Sequence, residues 1–314
     1  MYQKRYLSTL LLCLVAFFSF CIRAQVISSL NEQNTKIPEL KKEAPKKQTQ
    51  FSAQNSSVVK IDTTTAYYAF LDSAQYHINL QHWSTAETFI RQAIQSEPSN
   101  PNNSLLISNL ATLQRYEGKL EDAAKNYTLA IDMTPNAVTL LNNRASLYIE
   151  MNKISEAVAD YQRILKLEPE NEEARYNIGM LLLENKDFKN AENQFVDLLR
   201  YNPKSLLHNQ GMAFLYKATG NYSKAAANFS DVIKSSPTVS LLANRADCFL
   251  MIGKLSEAAD DINSAIQIEP NDGYLYLLRA KLKKLRYENE ESQKDLQLAI
   301  DHGVDPALIK EALK

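Results

Sequence analysis

A pattern that returns every 34 residues constrains this chain more than any other feature. In the stretch 138–171, VTLLNNRASLYIEMNKISEAVADYQRILKLEPEN, numbered 1 to 34, small residues stand at 8 (Ala145) and 20 (Ala157). Aromatics stand at 11 (Tyr148) and 24 (Tyr161), and Pro169 is at 32. Such spacings place the conspicuous residues on two successive helical faces divided by a turn. The pattern recurs at 67–100, 104–137, 172–205, 206–239, 239–272 and 273–306, which makes about seven helix-turn-helix units. One such pair cannot bury its apolar face alone, so the units must stack on one another. Only 7 glycines in 314 residues leave few places for a sheet to turn, in keeping with an all-α chain.

The small positions define the expected seams. Position 8 is Ala74, Ala111, Ala145, Gly179, Ala213, Ala246 and Ala280, and position 20 is Ala86, Ala123, Ala157, Ala191, Ala225, Ala258 and Ser292. Position 28 is a branched aliphatic throughout, Ile94, Ile131, Leu165, Leu199, Ile233, Ile266 and Ile300, and is expected to fill the space between adjacent pairs. Gly118, Gly220, Gly253 and Asn152 can take the left-handed backbone that ends a first helix. Pro135, Pro169, Pro203, Pro237 and Pro270 stop the second. The first unit is atypical, with His77 at position 11, as expected of a terminal repeat. At the other end, 306–314 places Leu308, Ile309 and Leu313 on one face of a short capping helix.

Residues 1–24 read as a secretory signal: Lys4 and Arg5, then an apolar run over 7–22, then Ala24 before Gln25. An uncleaved N-terminal anchor and lipidation at Cys21 are the alternatives. The apolar run is short for a membrane span, so the mature chain is expected to have none. Residues 25–66, polar and without helical periodicity, are expected to form a disordered linker in which Lys41, Lys42, Lys46 and Lys47 are solvated. Cys13 and Cys21 fall within the signal, which leaves Cys248 as a lone thiol, expected to be a small buried hydrophobe. Losing residues 1–24 removes Lys4, Arg5 and Arg23 and no acid, so the formal balance moves from −1 to −4. A weakly acidic surface does not attract phosphate backbones, and nucleic acid is not an expected partner.

No constellation for chemistry emerges. His77, His82, His208 and His302 are scattered, and the five-residue step from His77 to His82 takes them off a common helical face. The sequence has no Gly-rich phosphate loop, Cys-x-x-Cys or nucleophile elbow, so no catalytic, cofactor-binding or metal residues are assigned. The acidic pairs Glu121–Asp122 and Asp260–Asp261 are expected to face solvent.

The small, aromatic and proline positions over 67–306 resemble the tetratricopeptide repeat. The resemblance implies a right-handed α-solenoid that presents partner-binding surface and performs no chemistry, its concave wall made by the first helix of each pair. Members that clamp peptides use an asparagine at position 6, and here Asn109, Asn143, Asn177 and Asn244 stand there. A side-chain amide offers both a donor and an acceptor to a peptide backbone. Gly211 and Leu278 break this ladder, and the paired lysines that grip a terminal carboxylate in some members are not reproduced, although Lys217, Lys281 and Lys284 lie on first helices.

Helix geometry directs positions 2, 5, 6, 9, 12 and 13 away from the second helix. The expected groove therefore includes Asn109, Asn143, Ser146, Ile149, Glu150, Tyr176, Asn177, Met180, Glu184, Phe214 and Asn244. Arg144, Arg245 and Arg279 at position 7 are expected to form structural ion pairs. The functional expectation is an exported scaffold or adaptor of the bacterial cell envelope holding a protein, peptide or helical partner. A regulatory or accessory subunit of a separate envelope enzyme or sensor is the second reading.

Overall fold

The computed structural model describes residues 63–307 and residue 309. Fourteen helices and no strand occur among them, and they divide at Pro169–Glu170 into two compact units. The N-terminal unit holds three helix pairs: α1 (Thr63–Asn79) with α2 (Trp83–Ser96), α3 (Asn103–Tyr116) with α4 (Leu120–Met133), and α5 (Val138–Glu150) with α6 (Ile154–Leu167). The C-terminal unit holds four: α7 (Glu172–Glu184) with α8 (Phe188–Tyr201), α9 (Leu206–Ala218) with α10 (Tyr222–Ile233), α11 (Val239–Met251) with α12 (Leu255–Ile268), and α13 (Gly273–Leu285) with α14 (Asn289–Asp301). Within each unit consecutive pairs stack side by side. Helix α1 already begins at Thr63, so the last four residues assigned to the linker are helical. The signal segment, the linker up to residue 62, and Leu308 and Leu313 of the cap lie outside the described residues.

One backbone device closes all seven pairs. The residue at position 15 is left-handed in each: Gln81, Gly118, Asn152, Lys186, Gly220, Gly253 and Tyr287, with φ between 58° and 79°. The amide N–H of position 16 then donates to the carbonyl of position 11, as in Lys153 to Tyr148 at 2.7 Å and Asp187 to Leu182 at 2.9 Å. That bond satisfies a carbonyl the helix end would leave unpaired and reverses the chain within three residues. The same reversal at Gln81 carries His82 back to His77, their ring centroids 5.7 Å apart, so the step of five does not separate them as expected. His77 also stacks on Phe89 at 5.5 Å.

Positions 8 and 20 are buried in every pair, where small side chains let the two helices approach. Ser292, at position 20, also donates its hydroxyl to the Ala280 carbonyl at 2.9 Å. Position 28 corrects the expectation. Ile131 is buried there, but Leu199 and Ile300 are 37% exposed and the others half-buried. The filling side chains come from positions 24 and 27 instead: Ile90, Tyr127, Tyr161, Phe195, Phe229, Ile262 and Leu296 at 24, and Ala93 to Ala299 at 27, all buried. Position 28 lies one residue past this stripe and so turns toward the edge of the contact. Ile309 is buried against Leu277, Ala280, Leu296 and Ala299, closing the end of the last pair.

Candidate functional site

The first-helix faces carry the polar residues that could meet a partner. In the N-terminal unit, position 6 of α3 and α5 supplies Asn109 and Asn143. Asn109 is 1% exposed, and its Nδ2 has no hydrogen-bond partner; Asn143 is half-buried, and its Oδ1 likewise has none. Ser146 is buried with its hydroxyl donating back to the Asn142 carbonyl at 2.9 Å, and Ile149 is buried. Glu150 accepts from the Arg115 Nε at 2.6 Å, an ion pair joining α5 to α3. Elsewhere in this unit an open hollow of about 460 Å³ is rimmed by Glu121, Lys125, Asp132 and Lys153.

In the C-terminal unit much of the expected wall is interior. Tyr176, Asn177, Met180 and Phe214 are buried, and only Glu184 is half-exposed. Tyr176 meets Phe195 with centroids 6.0 Å apart, and Phe214 meets Phe229 edge-on at 5.1 Å. Phe195 and Phe229 belong to the second helices, so positions 5 and 9 do not point away from them as expected. Large side chains at position 24 reach across the pair and touch both. Asn244 is fully engaged: its Nδ2 donates to the Ser240 carbonyl at 2.8 Å and its Oδ1 accepts from the Lys217 ammonium at 2.9 Å.

Lys217 and Asp247 lie on successive first helices, 2.8 Å apart, and Lys281 approaches Asp247 from α13 at 3.9 Å. Burial raises the Asp247 pKa, but the two ammoniums outweigh it and hold the carboxyl below the usual range. A legible signal existed: Asp247 and Lys281 occupy position 9 of adjacent units with opposite charge.

Position 7 behaves as expected. Arg144, Arg245 and Arg279 pair with Asp160, Asp261 and Asp295, each sixteen residues on, through two nitrogens at 2.6–2.9 Å. Asp261 is therefore buried and paired, not solvent-facing, while Asp260, Glu121 and Asp122 are exposed. Hydrogen bonding to Asp160 and Asp295 raises the already high pKa of Arg144 and Arg279. Cys248 is buried, and burial pushes its thiol up to about 12, so it stays protonated and inert near neutrality. Among the described residues no group of three or more His, Cys, Asp or Glu is placed to hold a metal, and no helix is long and apolar enough to cross a membrane.

A tetratricopeptide repeat family model matches residues 142–204 and 212–273. The crystal structure of a tetratricopeptide repeat protein from Parabacteroides merdae is 34% identical, covering 79% of this chain and 98% of its own, with a TM-score of 0.65. The Pseudomonas aeruginosa protein pilF, at 18% identity, covers 72% of this chain and 99% of its own with a TM-score of 0.52. The Cut9–Hcn1 complex of the APC/C, at 10% identity, covers 82% of this chain and 56% of its own with a TM-score of 0.60. The last two share the fold alone. No curated protein matches the chain.

Proposed function

Because the chain belongs to the tetratricopeptide repeat family, whose members generally act as binding scaffolds without chemistry of their own, we propose that it is an exported interaction scaffold of the bacterial cell envelope. In this reading the first-helix face of the N-terminal unit holds an extended peptide segment of a protein partner. One observation carries it. Asn109 and Asn143, at the same position of neighbouring first helices, each keep an amide atom without a partner, one a donor and the other an acceptor. Buried polar atoms left unpaired are uncommon and costly, and a peptide group, with one N–H and one C=O, complements this pair. Asn244 differs, since its amide is spent on Lys217 and Ser240.

The test separates holding from bracing. After the partner is crosslinked in the native envelope and identified, the double change Asn109→Ala and Asn143→Ala should weaken its binding about 10- to 100-fold, at about 0.5–1.5 kcal/mol per lost hydrogen bond. Melting temperature should hold or rise, because Asn109 Nδ2 and Asn143 Oδ1 are buried without a hydrogen-bond partner. Asn244→Ala should do the reverse. A double variant that melts lower and binds as before would show that these amides only brace helices.

A further inference from the structure

We infer that the chain associates with further copies of itself, the Tyr287 side chain of one copy entering the hollow beside α4 of the next. Tyr287 stands in the turn from α13 to α14, is 90% exposed, and has a left-handed backbone with φ 63°. A bulky side chain is disfavoured at positive φ, and such an outlier points to a place where a contact outweighs local strain. The surroundings of Tyr287 are apolar too. Leu285, two residues earlier, is exposed, and so is Met251 at the same position of the preceding pair. Arg286 ties the two turns together, its Nη2 donating to the Leu255 carbonyl at 3.0 Å.

The hollow of about 460 Å³ in the N-terminal unit is complementary to this tip. Its floor is made by Ala124, the exposed Leu129 and the half-buried Tyr148, against whose ring a second aromatic can pack edge-on or offset. The charges also match. Arg286 precedes Tyr287 and Glu288 follows it, both exposed, and the exposed rim offers Glu121 and Asp132 to the first and Lys153 to the second, Lys125 being paired with Asp122 at 3.0 Å. Tip and hollow are different surfaces, so the contact is heterologous, and each added copy brings a new tip and a new hollow. A tyrosine buries about 150–250 Å². The contact is therefore small beside the roughly 1,200–2,000 Å² of stable complexes, and the association is weak and concentration-dependent.

Sedimentation velocity of the full chain from about 5 to about 500 µM tests this, and the weight-average sedimentation coefficient should rise with concentration. Two variants each remove one side of the contact. Tyr287→Asn takes away the ring and leaves a residue that tolerates the left-handed turn, as Asn152 does at the same position. Leu129→Glu places a charge in the floor of the hollow at an exposed site. Each should weaken the association at least about 10-fold. An equimolar mixture of the two should form a dimer and stop there, because the only intact tips are on one variant and the only intact hollows on the other. A misfolded variant could not restore the contact in this way. A wild-type chain that stays monomeric throughout, an association that either variant retains in full, or a mixture that remains monomeric overturns the inference. Each of those results leaves the peptide-holding role standing, since Asn109 and Asn143 take no part in the contact.

Discussion

Position 15 illustrates how a single residue type can be demanded without being supplied. All seven residues there are left-handed, but Lys186, Gln81 and Tyr287 lack the freedom of glycine. An L-residue with a Cβ loses about 1–2 kcal/mol in this region, part of which glycine gives back as lost chain entropy. Lys186→Gly should therefore stabilise the protein by about 0.5–1 kcal/mol, visible as a higher melting temperature. An unchanged or lower value would mean that the turn is not strained. Gly118, Gly220, Gly253 and Asn152 announce their turns in the sequence, whereas Lys186 and Tyr287 carry no local signal. They are held left-handed by the bond from position 16 to position 11 and by the packing of the two helices it joins.

At the level of helices, two devices lock neighbours together. In the C-terminal unit the Phe195 ring of α8 lies between Gly179 of α7 and Gly211 of α9, and a methyl group at either glycine would collide with it. This explains why the amide ladder is broken at Gly211: no asparagine fits beside that ring. Gly211→Ala should cost about 1–3 kcal/mol through overpacking. Combined with Phe195→Leu it should cost less than the sum of the two single changes, as a double-mutant cycle would read out. Additive losses would place the collision elsewhere.

The second device is the position 7 arginine. Arg144 of α5 binds Asp160 of α6 and also donates to the Thr128 hydroxyl of α4 at 2.9 Å, and Arg245 does the same with Asp261 and Ser230. Arg144→Ala would leave the buried Asp160 without its counter-charge and should cost about 3–5 kcal/mol, whereas replacing Arg144 and Asp160 together by apolar residues of similar volume should be nearly neutral. Thermal or urea unfolding of the two variants checks this, and equal losses in the single and the double change would refute it.

For the molecule as a whole, the first question is where the chain begins in the cell. If residues 1–24 direct export and are removed, mass spectrometry of the envelope fraction should find a chain starting near Gln25; intact Met1 in a cytoplasmic fraction would refute it. The architecture itself was legible in the 34-residue period, because helix pairing, turn placement and the small-residue seams at 8 and 20 are local properties that recur identically in each unit. The burial of Asp261, the closing of Met180 and Phe214 into the core, and the meeting of Lys217, Asp247 and Lys281 were not legible in that way. Whether a polar or apolar side chain on a first helix faces solvent depends on which residues about half a repeat to one repeat distant reach it. A period states that a neighbour is present but not what it carries. Packing between helices decided that Asn244 would be spent inside the fold while Asn109 and Asn143 kept an unpaired amide atom.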